Sequence, residues 1–95
     1  MMKMLMIIVD GECKEELEIL LKHRQIAGYT EVSDAHGVGA TGIRMGSRAY
    51  PKTSSVFFTV VADDQAEELR SHIVSYCEAC HKRMKIFAWP VAEMV

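Results

Sequence analysis

The residues of this 95-residue chain that could do chemistry fall in a few short stretches. Cys77-Glu78-Ala79-Cys80-His81 places two thiols and an imidazole together, in the C-x-x-C-H order used for c-type haem attachment. Covalent haem needs an exported chain, and the opening run Met1–Val9 stops at Asp10 without the small-residue cleavage site of a signal peptide. A soft divalent metal such as zinc suits the same residues better. Cys77, Cys80 and His81 supply three ligands, and His36, water or a neighbouring subunit would have to supply a fourth. Against this stands plain packing. Cys77 and Cys80 continue the apolar stripe of Leu69 and Ile73, and a free cysteine behaves as a small buried hydrophobe.

Gly37-Val38-Gly39-Ala40-Thr41-Gly42 matches G-x-G-x-x-G. A dinucleotide fingerprint of this kind must open a helix at once. Here Ile43-Arg44-Met45-Gly46 and Pro51 continue as loop, so that reading fails. Two readings remain, a flexible exit from a strand and a small anion cradle made of backbone N–H groups. Arg44, Arg48 and Lys52 put positive charge on the same loop. They read either as a solvated surface or as a docking element for an acidic partner or a phosphorylated ligand. Lys82, Arg83 and Lys85 form a second basic group near the C-terminus. The pair Asp63-Asp64 suits a helix cap, and no serine or cysteine has a base at hand, so an enzyme is not expected.

Composition narrows the function classes further. The chain is 49% hydrophobic and 25% charged, an ordinary globular balance that excludes disorder and coiled coil. Its net charge of −2 leaves no basic excess for nucleic acid or an anionic membrane. No stretch approaches the ~20 apolar residues of a membrane span. The three cysteines, an odd number, fit a reducing cytoplasm better than a disulfide framework.

The elements that must position these residues follow from periodicity. Lys3–Val9 is apolar on both alternating faces and predicts a buried strand. Glu12–Gln25 predicts a helix with Leu17, Leu20, Leu21 and Arg24 on one side, closed by Ala27-Gly28. Tyr29–Ala35 is a moderate strand, and 36–55 reads as a long mobile loop without apolar periodicity. Val56–Val61 is the clearest strand. A helix over about Gln65–Cys80 follows, with Asp64 and Glu67 spaced as a capping box. Ile86–Trp89 is the last strand, weakened or ended by Pro90.

Strand, helix, strand, strand, helix, strand is the ferredoxin-like order within one α+β domain spanning 1–95. Two helices cover one face of a four-stranded antiparallel sheet. Lys3–Val9 and Val56–Val61 are apolar on the other face as well, which predicts that another subunit covers it.

Several segments resemble PII nitrogen-regulatory proteins: Val60-Val61-Ala62-Asp63-Asp64-Gln65-Ala66-Glu67-Glu68, Lys85-Ile86-Phe87-Ala88-Trp89-Pro90-Val91, the opening strand, and Thr30–Val32 with Gly37–Gly39. The resemblance implies a trimeric regulator that binds adenine nucleotides (ATP, ADP or AMP) in clefts between subunits. It further implies that the loop over about 38–54 docks on a membrane transporter or a regulated enzyme. On this likeness Lys85 contacts phosphate with Lys82 or Arg83, and the backbone of Gly37, Val38 and Gly39 assists. Thr41 stands where the family carries a glutamine that helps bind metal and 2-oxoglutarate, and Tyr50 lies near its modifiable tyrosine. Lys82-Arg83-Met84 departs from the family's glycine-rich turn, so the ligand site is expected to be divergent. The alternative on the same fold is a metal-linked accessory protein of heavy-metal efflux, using Cys77, Cys80 and His81.

Overall fold

The computed structural model describes residues 1–40, 42–80 and 83–95. Strand β1 spans Met2–Asp10 and runs through a 3-10 turn, Gly11–Cys13, into helix α1, Lys14–His23. Strand β2 is Thr30–Ala35, and β3 (Gly37–Gly39) and β4 (Gly42–Arg44) form a short antiparallel ribbon. Strand β5 is Ser54–Ala62, helix α2 is Asp63–Cys80, and β6 is Met84–Val91. The main sheet has the order β2-β5-β1-β6 with every pairing antiparallel, the ferredoxin-like arrangement predicted above.

The pleat of β1 and β5 sorts their side chains into two sets. Leu5, Ile7 and Val9, with Phe57 and Val61, face the helices and meet Leu17, Leu21, Ala66, Leu69 and Ile73 in one buried core. Thr59 is buried on this side too, and its hydroxyl is satisfied by donating to the Gly28 carbonyl at 2.6 Å. The Ser55 Oγ has no hydrogen-bond partner among the described residues.

The other set faces away from the helices. Met4 lies opposite Val60 and Trp89, Met6 opposite Phe58 and Phe87, and Ile8 opposite Val56 and Lys85. Val60, Phe87 and Trp89 remain exposed, as does Val32 on β2. A row of large apolar side chains across four strands is thus uncovered in the single chain.

Several local expectations change. Helix α1 ends at His23 and is closed by Gln25 rather than by Ala27-Gly28. Gln25 adopts φ 58°, Ile26 N–H donates to the Leu21 carbonyl at 3.1 Å, and Gln25 N–H donates to that of Lys22 at 3.1 Å. This is a Schellman closure with glutamine in the left-handed position usually given to glycine. Helix α2 begins two residues earlier than its charge pattern suggested, and its cap is shifted. Gln65 Oε1 accepts the Ala62 N–H at 3.3 Å, while Glu67 pairs with Arg70 instead of reaching back. Pro90 does not end β6, which pairs through to Val91 opposite Met2. Strand β6 is a sheet edge, where proline's missing N–H can point away from the ladder.

Candidate functional site at the loop end of the sheet

The C-terminal ends of β1 and β2 and the N-terminal ends of β5 and β6 lie at one end of the sheet. The residues singled out for binding collect there, but along both edges. Arg83 and Lys85 are exposed at the start of β6. Lys85 stands opposite Ile8, on the uncovered face that also carries Phe87 and Trp89. Gly37, Val38 and Gly39 follow β2 at the opposite edge, and all are exposed. A Cβ added at Gly37 or Gly39 would meet nothing within 4 Å, so these glycines leave backbone open to a ligand. Two strands separate the edges, and three strand spacings amount to about 14 Å. One phosphate group therefore cannot touch Lys85 and the Gly37–Gly39 backbone of the same chain. Thr41 and Lys82, the other ligand-binding candidates, lie outside the described residues.

The stretch expected as a formless loop is organised. Val38 faces Ile43 across the β3–β4 ribbon. Beyond it, Met45 and Ser47 N–H groups donate to the Tyr50 carbonyl at 3.3 and 2.9 Å, and Tyr50 N–H donates to Ser47 Oγ at 3.1 Å. Gly46, at φ 59°, sits so close to Thr53 and His36 that a Cβ would meet the Thr53 methyl at 3.0 Å. Glycine is favoured there on both counts. The docking candidates differ in how they are held. Arg48 and Tyr50 are exposed, and Lys52 lies 3.9 Å from Glu12. Arg44 is turned inward and donates Nε–H to Asp10 Oδ1 at 2.6 Å. A shallow cleft of about 280 Å³ opens beside this contact, lined by Asp10, Gly11, Glu12, Pro51, Lys52 and Thr53.

The thiols do not form the continuous buried stripe that their spacing suggested. Cys77 is half-buried against the core, whereas Cys80, one turn on, is exposed. His81 lies outside the described residues, and His36 follows β2, at the sheet edge opposite β6. No group of three His, Cys, Asp or Glu side chains placed to hold a metal occurs among the described residues.

A second groove of about 360 Å³ runs between the helices, lined by Glu16, Ile19, Leu20, His23, Arg24, His72 and Tyr76. Arg24 bridges it, with Nη1 at 2.8 Å from His72 Nε2 and 3.3 Å from Glu68. Burial, and then the Glu16 carboxylate, push the Tyr76 phenol up to about 12. Sequence spacing did not flag this groove, because its residues come from helices far apart in the chain. Among the described residues no helix is long and apolar enough to cross a membrane.

Comparison with known proteins agrees with this architecture. Among solved structures, CPII, a nitrogen regulatory PII-like protein from Thiomonas intermedia K12 bound to ADP and bicarbonate, is 25% identical. The match covers 93% of this chain and 83% of that one, with a TM-score of 0.76. A second structure of CPII, bound to ADP, AMP and bicarbonate, matches at 24% identity over 92% and 88%, with a TM-score of 0.75. A DUF3240 family protein from Shewanella baltica OS155 shares the fold at 15% identity over 99% and 93%, with a TM-score of 0.76. No curated protein matches the sequence. The family model of nitrogen regulatory protein P-II matches residues 2–95, practically the whole chain. This chain, with its uncovered sheet face and structured loop, thus belongs to the nitrogen regulatory protein P-II family.

Proposed function

We propose that this chain is a PII-type regulator, assembled as a homotrimer, that binds an adenine nucleotide between subunits and presents its loop to a partner protein accordingly. The observation that carries the reading is the fold shared with CPII, which is bound to ADP and bicarbonate. Two features of this chain support it. The apolar face of Met4, Met6, Phe58, Phe87 and Trp89 offers a subunit interface. The roughly 14 Å between the two sheet edges is bridged when the β6 edge of one subunit lies beside the β2 edge of another.

In that cleft Lys85 supplies a point charge to a phosphate, Arg83 adds a planar fork, and the Gly37–Gly39 backbone approaches closely because no side chain intervenes. Because Gly37–Gly39 opens the β3–β4 ribbon, a ligand held there bears directly on the loop over 42–53. The partner on this reading is a membrane transporter or a regulated enzyme with an acidic patch, met by Arg48, Lys52 and Tyr50. Calorimetric titration with ATP, ADP and AMP tests the proposal. Saturable binding that is lost in Lys85→Ala is expected. Absence of binding to all three nucleotides, or binding indifferent to Lys85, would overturn it.

A further inference from the structure

The excursion between β2 and β5 is tied to the end of β1 from both of its halves. On the way out, Arg44 donates Nε–H to Asp10 Oδ1 at 2.6 Å, and their side chains are only 12% and 29% exposed. On the way back, Thr53 accepts the Gly11 N–H at 2.9 Å, and Lys52 lies 3.9 Å from Glu12. Between these ties the chain is closed on itself, since the Tyr50 carbonyl takes the Met45 and Ser47 N–H groups and the Lys52 carbonyl takes that of Gly46. These bonds brace the segment as one piece.

The two ion pairs are not equal. Lys52 and Glu12 are 60% and 62% exposed, and pairs of that kind contribute little. Arg44 and Asp10 make a short, charge-assisted hydrogen bond partly shielded from water. No spacing in the sequence links them, because 34 positions separate the two residues.

We propose that Asp10–Arg44 is a latch: it holds residues 42–53 against the end of β1, and the loop is released when this pair parts. The latch rests on geometry alone, while its bearing on partner control rests on the regulatory reading above. A ligand shifts a two-state element only through different affinities for the two states. An effector or partner that offers Arg44 a phosphate or carboxylate oxygen in place of Asp10 binds the released state selectively.

Timed trypsin digestion reads the latch directly. Arg48 is exposed within the loop, so cleavage after it reports release; Arg70 lies within α2, so cleavage after it reports global unfolding. Asp10→Asn should speed cleavage after Arg48 about tenfold with Arg70 unaffected, the size expected for losing one shielded charged pair. Arg44→Asp should do the same, and the exchanged pair Asp10→Arg with Arg44→Asp should restore slow cleavage. Unchanged cleavage in both single variants, or no recovery in the exchanged pair, would overturn the latch. So would equal acceleration after Arg48 and Arg70, which would assign the pair to global stability. The readout involves no nucleotide, so its failure is distinct from failure to bind one.

Discussion

Replacing Phe87 and Trp89 together by serine should convert the assembled protein to monomers without unfolding the chain. Phe87 and Trp89 are 48% and 42% exposed in the single chain, on the sheet face that no helix covers. A large aromatic side chain offers roughly 200 Å². The pair therefore leaves roughly 180 Å² for a neighbouring subunit to cover. At about 25 cal/mol per Å² this is roughly 4.5 kcal/mol per subunit, on the order of a thousandfold in the association constant. The fold should tolerate the change, because the buried core lies on the other side of the sheet and the β1–β6 ladder is backbone. Sedimentation velocity at micromolar concentration distinguishes the outcomes. The parent protein should run with the mass of three 10.7-kDa chains and the variant with that of one, its circular dichroism unchanged. A parent protein that is already monomeric, or a variant that assembles like the parent, would refute the assignment of this face to an interface.

Three further outcomes concern the chain itself. Ser55→Ala should leave the fold intact and raise the denaturation midpoint by the equivalent of about 1 kcal/mol, since it removes a buried hydroxyl without a partner among the described residues; a loss of stability would show that the hydroxyl is satisfied. Gln25→Gly should stabilise by up to about 1 kcal/mol in chemical denaturation, because it relieves a left-handed residue at the end of α1. The Tyr76 phenol, held up to about 12 by burial and the Glu16 carboxylate, keeps its proton in the folded chain where an unfolded chain loses it near 10. Its contribution to stability is therefore complete below pH 10 and lost as the pH rises through about 12, a decline that Tyr76→Phe should reduce in alkaline unfolding curves.

The sheet was legible where both alternating sets of side chains are apolar, as in Lys3–Val9 and Val56–Val61. That same redundancy revealed the uncovered face, since two helices can bury only one set. The β3–β4 ribbon was not legible, because Gly37–Gly39 and Gly42–Arg44 carry a single large apolar residue each, Val38 and Ile43, too few for a period. Cys80 departs from the expected buried stripe because helical spacing carries no information about where burial along the helix stops. Pro90 continues the strand because proline is excluded from central strands but not from edges, and edge position is a property of the whole topology. Gln25 took the closing position assigned to Gly28 because the backbone bonds from Gln25 and Ile26 offset the strain at a non-glycine residue. Of the proposed site, Lys85 and the glycines are suggested by family likeness. The Asp10–Arg44 contact, made across the fold, had no local signal.

The proposed site shared between subunits is tested most directly by mixing two disabled variants. Lys85→Ala removes the positive charge proposed to meet phosphate at the β6 edge. Gly39→Asp places a carboxylate on the β2 side, where an added side chain meets nothing in its own chain. Each variant alone should bind no nucleotide. Unfolded and refolded together in equal amounts, they should recover about a quarter of the binding sites, because random trimers bring an intact Lys85 beside an intact Gly39 at that frequency. Recovery of binding in the mixture is what the account predicts. Two disabled variants that stay disabled after verified co-assembly would contradict it.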